Sequence, residues 1–374
     1  MKNYIKYILL FCCAGTPSQA QLDNALSQKI LEIRNSNKVP ALAALSIKNG
    51  EVVELAAVGV RKSDEPTLVT QNDKFHLGSD TKAMTATLTA MFIDEGKLNW
   101  TTTLAEIFHD LKEMNSDYKS VTVEMLLAHR SGITGDLSKF ENGKLLKKLR
   151  DPKLDPTTGR ILLVREMLTQ PPAFKSGSRF EYSNQGYAVV GAILEKISNK
   201  SWEDLMQERL FSPLNMNSCG FGPLGDSNGK IVDQPWAHIQ TQNGPVPVIL
   251  DNPETLGPAA TVHCSLQDWS KFVALHLNAY NGKPKLLSSV SFLKLHTIYP
   301  GQQYTYGGWI RTERSWAGGV VFTHDGSNTL NYATAWWAPN RNLIMLSTSN
   351  IGAPSGQTAT QEAINLLVEA QRIK

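Results

Sequence analysis

The sequence predicts an α+β fold: an antiparallel sheet flanked by helices, with an inserted, mostly helical lobe. Asn49-Gly50 separates two alternating apolar runs, which is a strong signal for a two-residue hairpin. Strand-like runs return near the other end of the chain as YTYGGWI, GVVFTHDG, YATAWWAP and NLIMLSTS. Between about residues 100 and 255 the signals are helical, with long polar loops. We therefore expect one sheet lobe from residues 21–100 and 255–374, and a helical lobe from 101–254.

Helix signals follow in order along the chain. A first helix is predicted over 22–35, and a short strand at 75–77 leads into an apolar helix that ends at Gly96. Further helices are predicted from VTVEMLLAHRSGI, ILLVREMLTQPP, GYAVVGAILEKIS, SWEDLMQERL, DWSKFVALHL and TATQEAINLLVEAQRI. Two of them begin with capping patterns, Ser201…Asp204 and Ser265…Asp268.

Residues 1–20 predict a secretory signal peptide. Lys2 and Lys6 precede an apolar centre, and a small-residue cleavage pattern ends at Ala20. The alternatives are a membrane anchor, for which the apolar run is shorter than the roughly 20 residues of a span, and a lipid attached to Cys12 or Cys13. We expect a periplasmic or secreted protein with no stable membrane span once the signal is removed.

Charge and cysteine content limit the partners. Without residues 1–20, which carry two lysines and no acidic residue, the formal charge falls from +3 to +1, so no nucleic-acid partner is expected. The remaining Cys219 and Cys264 make neither a disulfide framework nor a metal cage, although they have the option of pairing with each other. No histidine or cysteine spacing resembles a ligand pattern, so we predict no metal and no cofactor.

Ser79-Asp80-Thr81-Lys82 opens the apolar helix that follows the short strand. Ser-x-x-Lys also begins at Ser116, Ser227 and Ser291, so the tetrapeptide alone is weak evidence. The setting of Ser79 is different because Ala83–Asp94 is apolar on nearly every side and is expected to be buried. Lys82 would then lie in the interior, where a lysine needs a partner or a lowered pKa.

Two later stretches complete the pattern. Tyr182-Ser183-Asn184 is the only Tyr-x-Asn in the chain and lies in a polar turn before a helix. His324-Asp325-Gly326 ends a predicted strand, and LLAHRSG at 126–132 lies between the first and second motifs. His129 in that stretch is interpreted as structural.

In the order and spacing of these motifs, the chain resembles the serine β-lactamase and penicillin-binding protein superfamily over nearly all of residues 22–374. More narrowly, it is similar to the branch of class C β-lactamases, DD-peptidases, D-aminopeptidases and related esterases. The resemblance implies a two-lobed fold with a site between the lobes, and a covalent acyl-enzyme formed on Ser79.

The resemblance also implies roles for the other motif residues. Ser79 is the expected nucleophile, and Lys82 with Tyr182 would carry its proton to the leaving group; which of the two is the base stays open. The positive charge of Lys82 is expected to favour the phenolate form of Tyr182. Asn184 would bind the acyl carbonyl. The N–H groups of Ser79 and Ser327 would form an oxyanion hole beside Gly326.

One motif departs from the family pattern. Class C β-lactamases and penicillin-binding proteins usually carry Lys-Thr-Gly where this chain has His324-Asp325-Gly326. A histidine with an ordinary pKa near 6.5 would be mostly neutral at pH 7 and protonated in mild acid. Substrates that carry a carboxylate should therefore be used better as the pH falls. The His-x-Gly form resembles D-aminopeptidase-like and esterase-like members.

The sequence therefore predicts a secreted serine hydrolase acting on an amide or ester. The substrate classes are a D-residue peptide, a cell-wall fragment, a small ester or, less well matched, a β-lactam. A class C-like β-lactamase is the alternative within enzymes. A penicillin-binding sensor or scaffold that is acylated without turnover is the alternative from another class. The sequence leaves the oligomeric state open.

Overall fold

The computed structural model describes residues 25–136, 143–226, 228 and 231–372. The predicted signal peptide at 1–20, with Cys12 and Cys13, lies outside these residues, and so does Ser227. The strands are β1 Ala41–Lys48, β2 Glu51–Gly59, β3 Lys74–His76, β4 Gly220–Phe221, β5 Ala237–Thr241, β6 Gly244–Val248, β7 Val262–Ser265, β8 Ile310–Arg314, β9 Gly319–Ser327, β10 Tyr332–Ala338 and β11 Leu343–Ser349.

The helices alternate with these strands along the chain. They are α1 Ala25–Ser36, α2 Thr81–Asp94, α3 Leu104–Ile107, α4 Val123–Leu127, α5 Lys144–Leu149, α6 Pro156–Leu168, α7 Asn184–Ser198, α8 Trp202–Met206, α9 Gly257–Ala260, α10 Leu266–Tyr280, α11 Ser289–Leu295 and α12 Ser355–Arg372. None of the helices within the described ranges is both long and apolar enough to cross a bilayer.

The main sheet joins the two ends of the chain. Six antiparallel strands lie in the order β2-β1-β11-β10-β9-β8. The β1–β2 hairpin turns at Asn49 and Gly50, whose φ angles of +56° and +87° explain why Asn-Gly stands there. The predicted α+β fold with an antiparallel sheet is confirmed.

Each face of the sheet is covered by helices. Buried side chains of α1 and α12, including Ile30 and Leu367, pack on one face, and the apolar side chains of α2 and α10 pack within the core on the other. In α2 every residue from Thr81 to Phe92 is buried. This burial on all sides, which the apolar sequence predicts, places the start of α2 inside the protein and not on its surface.

The segment between the sheet strands is mostly helical. The predicted capping residues are confirmed, because the Ser201 side chain accepts from Asp204 N and the Ser265 side chain from Asp268 N. Arg160 on α6 is fully buried and donates to both Glu195 and Glu203 at 2.6 and 2.7 Å, which joins α6, α7 and α8. The two predicted lobe boundaries remain predictions.

Two elements differ from the sequence prediction. YTYGGWI was expected to be a strand, but residues 304–309 form turns and isolated bridges, and β8 begins only at Ile310. The β5–β6 hairpin lies where helices were predicted; Pro245 and Pro247 within β6 hide its strand pattern. A disulfide joins Cys219 to Cys264 beside the small β3-β7-β4 sheet.

Candidate active site

Ser79 lies in a single 3₁₀ turn, Gly78–Asp80, between β3 and α2. Backbone atoms approach closely here. Gly78 has a φ of +51°, and a Cβ on it would overlap Ser327 N of β9. A Cβ on Gly326 would overlap the Leu77 carbonyl oxygen. The two glycines therefore allow the turn that carries Ser79 to touch the end of β9.

Lys82, the second residue of α2, is fully buried, as the sequence predicts. Its Nζ lies 3.1 Å from Ser79 Oγ, 2.7 Å from Asn184 Oδ1 and 3.0 Å from the Ala259 carbonyl oxygen. A neutral amine has two N–H donors and one lone pair. Asn184 and Ala259 take both donors, so the lone pair of a neutral Lys82 points to the Ser79 hydroxyl.

Burial also shifts the pKa of Lys82. Removal from water lowers the pKa of Lys82 well below its ordinary value, and the carboxyl of Asp80 raises it by a smaller amount. An ammonium group would instead donate to all three oxygens, so the direction of the pKa shift is what favours the neutral amine. Lys82 is thus the better placed of the two candidate bases.

Tyr182 closes the other side of Ser79. Its hydroxyl is near enough to Ser79 to influence its own pKa, and Lys82 Nζ lies 4.6 Å from its ring centroid. The residue is 37% exposed. Burial is the largest cause that raises the pKa of Tyr182, and the charge of Asp80 raises it further. The interaction with Ser79 lowers the pKa by a smaller amount than burial raises it. The raised pKa favours the neutral phenol over the expected phenolate.

Asn184 begins α7, where Ser183 caps the helix by accepting from Gly186 N. Its Oδ1 accepts from Lys82, while its Nδ2 has no hydrogen-bond partner among the described residues. The orientation leaves Nδ2 able to donate to a substrate carbonyl, as the sequence analysis expects. The carbonyl of Ala259, on α9, is a site atom that no side-chain motif could indicate.

His324, Gly326 and Ser327 lie at the end of β9, paired with Ala335, Ala333 and Tyr332 of β10. His324 Nε2 lies 3.2 Å from the hydroxyl of Tyr304, and His324 Nδ1 lies 3.4 Å from Asp80 Oδ1. The structure therefore brings every predicted site residue into one place, with β9 on one side of Ser79 and α7 on the other. Their catalytic roles remain predictions.

Burial holds His324 in its neutral form. Its pKa falls to about 3, chiefly through burial. The expectation of an ordinary pKa near 6.5 at this position is wrong, because the side chain is inside the protein rather than on a strand edge. His324 therefore does not gain a proton in mild acid. The better use of carboxylated substrates that we expected in acid has no cation to support it.

Asp80 is the site residue that the sequence analysis missed. Its carboxyl is completely buried, and neither oxygen has a hydrogen-bond partner in the described part of the chain. Burial and the charge of Asp325 raise the pKa of Asp80, against a lowering by Lys82. The available signal was an acidic residue inside Ser-x-x-Lys at the start of an otherwise apolar helix.

His129 supports Tyr182 from behind. It is buried, its Nδ1 accepts from Ser183 N at 3.0 Å, and its ring stacks on Tyr182 with centroids 4.4 Å apart. This is the structural position that the sequence analysis assigned to it. No group of three or more His, Cys, Asp or Glu side chains in the described ranges could hold a metal ion.

The comparisons with known proteins agree with this geometry. Residues 26–369 match the family model described as Beta-lactamase. The chain belongs to the beta-lactamase family. The predicted membership of the serine β-lactamase and penicillin-binding protein superfamily is confirmed, and with it a serine hydrolase fold of this superfamily.

Several relatives illustrate the range of the family. Penicillin-binding protein 4 from Amycolatopsis lactamdurans is 26% identical over 86% of this chain and 83% of that protein. The octameric penicillin-binding protein homologue from Pyrococcus abyssi is 24% identical, with a TM-score of 0.73 over 92% of this chain and 77% of that one. The D-amino acid amidase from Ochrobactrum anthropi SV3 is 18% identical, with a TM-score of 0.73 over 93% and 98%. The last two likenesses concern the fold.

The charge of Lys82 predicts a pH dependence. Because its pKa is lowered and only the neutral amine can take the Ser79 proton, kcat/KM on an uncharged ester should fall as pH falls through that pKa. The midpoint of this acid limb should lie well below the 10.4 of a free lysine. Lys82→Arg, which keeps a cation but never loses its proton, should lose about 10²–10⁴ in rate at every pH. A midpoint near 10 would show that Lys82 is charged at neutral pH.

Proposed function

We propose that this protein is a secreted serine hydrolase that transfers the acyl group of an amide or ester to Ser79 and then to water. The observation that carries the proposal is the buried Lys82 Nζ, which lies 3.1 Å from Ser79 Oγ and within hydrogen-bond distance of Asn184 Oδ1 and the Ala259 carbonyl oxygen. A serine hydroxyl becomes a nucleophile only when a base lies this close.

Acylation would proceed in two steps. Lys82 Nζ takes the Ser79 proton while Oγ forms a bond to the substrate carbonyl carbon, and the carbonyl oxygen becomes an oxyanion. The bond to the leaving group then breaks, and the protonated phenol of Tyr182 gives its proton to the departing nitrogen or oxygen. Lys82 returns a proton to Tyr182. In deacylation, water attacks the carbonyl carbon of the acyl-enzyme while Lys82 takes a water proton; the bond from that carbon to Ser79 Oγ then breaks, Oγ receives the proton from Lys82, and the acid is released.

The N–H groups of Ser79 and Ser327 are the proposed oxyanion hole. Support comes from the contact between the Gly78–Asp80 turn and the end of β9, where the position of Gly78 is limited by Ser327 N. Each such donor contributes about 3–4 kcal/mol to the stabilisation of the tetrahedral intermediate in comparable enzymes. Gly326 would let the substrate approach the strand backbone.

Substrates without a carboxylate near the leaving group fit this site best. His324 occupies the position that usually holds a lysine in the family, and burial keeps this histidine neutral. Its neighbour Asp80 is an acid, so this part of the site has no cation to bind a substrate carboxylate. The aromatic side chains of Phe180 and Tyr182, 40% and 37% exposed, offer an apolar wall for the acyl group. D-residue amides and peptides, cell-wall fragments and small esters fit better than β-lactams; the fold likeness to a D-amino acid amidase agrees with the first of these.

Ser79→Ala provides the central test. Intact mass spectrometry should show a fluorophosphonate adduct on wild type and none on the variant, and ester hydrolysis should be lost with the folded state retained. Ser116→Ala, which removes a surface Ser-x-x-Lys serine, is the matched control and should keep both. Labelling that persists on Ser79→Ala would refute the nucleophile assignment. A single stoichiometric burst without turnover would instead support a sensor or scaffold.

His324→Lys tests the basis of substrate selection. For wild type, the ratio of kcat/KM for matched carboxylated and neutral esters should stay constant from pH 5.5 to 8.5, because His324 does not titrate in this range. The lysine variant should raise this ratio about fivefold, the effect of one partly screened ion pair of ~1 kcal/mol. A wild-type ratio that rises in acid would show that His324 becomes a cation.

We also propose that the protein is located outside the cytoplasm. It rests on the signal-like residues 1–20 and is supported by the Cys219–Cys264 disulfide, a bond that persists mainly in oxidising compartments. N-terminal sequencing of protein from the native host should find a start near Gln21 in a periplasmic or extracellular fraction. Cytoplasmic protein that retains Met1 would contradict it.

A further inference from the structure

Asp251 lies outside every motif, in the loop between β6 and α9, and yet its side chain is only 3% exposed. Its Oδ2 lies 2.7 Å from His76 Nε2. Its Oδ1 accepts from Asn328 Nδ2 at 3.0 Å and from Asn252 N at 2.7 Å. Both carboxylate oxygens therefore accept hydrogen bonds from distant or backbone donors, and Arg150 contacts the carbonyl oxygen of the same residue.

The hydrogen bond from Gly78 identifies the tautomer of His76. Gly78 N donates to His76 Nδ1 at 3.1 Å, so Nδ1 carries no proton and Nε2 does. Nε2–H then donates to Asp251. This gives a continuous chain of hydrogen bonds from the backbone beside Ser79, through the imidazole ring, to the Asp251 carboxylate.

The second arm of Asp251 leads to the other side of the site. Asn328 directly follows Ser327, and its Oδ1 accepts from Leu330 N and Asn331 N at 3.1 and 2.9 Å. The side chain of Asn328 thus determines the turn after β9 while its Nδ2 binds Asp251. One carboxylate consequently binds the chain on both sides of the proposed oxyanion hole.

Stability is a weak explanation for this arrangement. A buried carboxylate loses its hydration, and even well-made buried polar pairs often contribute little net stability relative to apolar packing. Both arms of Asp251 end at a residue next to a proposed oxyanion donor: Gly78 precedes Ser79, and Asn328 follows Ser327. A role in positioning those donors accounts for both arms at once.

We propose that Asp251 is a positioning residue that holds the N–H groups of Ser79 and Ser327 at the separation the oxyanion needs. The proposal rests on the proposed function of Ser79. It predicts an effect on the transition state and little effect on substrate binding, because the oxyanion exists only after Ser79 attacks.

Asp251→Asn tests the proposal. The variant is isosteric, but an amide must turn its NH₂ group toward either His76 or Asn328, so one arm breaks. We expect kcat per fluorophosphonate-titrated site to fall about 10- to 100-fold, as a displaced catalytic group would cause, with KM changed less than twofold. The inhibition constant of a boronic acid, whose tetrahedral adduct places an oxygen in the hole, should rise in parallel.

A reversed pair and a matched control complete the design. In the double variant Asp251→Asn with Asn328→Asp, the new amide at position 251 faces the new carboxylate at position 328, so a donor again meets an acceptor and part of kcat should return. Asn328→Asp alone places two carboxylates side by side and should lower kcat. The single Asn328→Asp variant also serves if Asp251→Asn does not fold. Asp268→Asn, another buried carboxylate with two hydrogen-bonded oxygens, should leave kcat per titrated site unchanged.

The outcomes separate this proposal from the one on which it rests. A wild type that is neither labelled nor active would overturn both. A labelled, active wild type together with an Asp251→Asn variant of normal kcat per titrated site would overturn the positioning role alone. Loss of activity explained entirely by fewer titratable sites would overturn it too, because that pattern belongs to a purely structural residue.

Discussion

The burial of one lysine amine organises this molecule. Lys82 Nζ is removed from water at the start of α2, and three segments far apart in the chain supply its partners: the Ser79 turn, Asn184 at the start of α7 and the Ala259 carbonyl of α9. An unpaired buried amine would cost several kcal/mol. The hydrogen bonds of this one group therefore join the Ser79 turn, the start of α7 and α9 at a single point.

The same burial keeps the centre of the site close to neutral. Lys82 and His324 have lowered pKa values and Asp80 has a raised one, mainly because each of these groups has lost its hydration; the pKa of the partly exposed Tyr182 is raised as well. A neutral amine is a base, and a neutral phenol is a proton donor, so one physical cause prepares both functions. At the end of β9, the buried and neutral His324 also replaces the lysine cation of other family members, and this difference shapes the substrate class that we propose.

Backbone contact provides the precision that charges do not. Gly78 and Gly326 allow the Ser79 turn and the end of β9 to approach so closely that a single Cβ at either position would overlap backbone atoms. The turn and the strand end belong to different elements, so further contacts are needed to hold them at a fixed separation. The bonds from Asp251 to His76 and Asn328 supply that control from a loop that carries no recognisable motif.

The sequence by itself determined the features that depend on near neighbours. The Asn49-Gly50 hairpin, the caps at Ser201 and Ser265, the buried start of α2 and the order of the motifs are set by residues within a few positions of each other, so they could be predicted. Tertiary structure alone decided the pKa of Tyr182 and His324, since desolvation sums over atoms from the whole chain. It also decided the role of Asp251, whose partners lie 175 and 77 residues away. The β5–β6 hairpin escaped prediction for a related reason: its prolines weaken the local strand signal, and pairing across the hairpin forms it nonetheless.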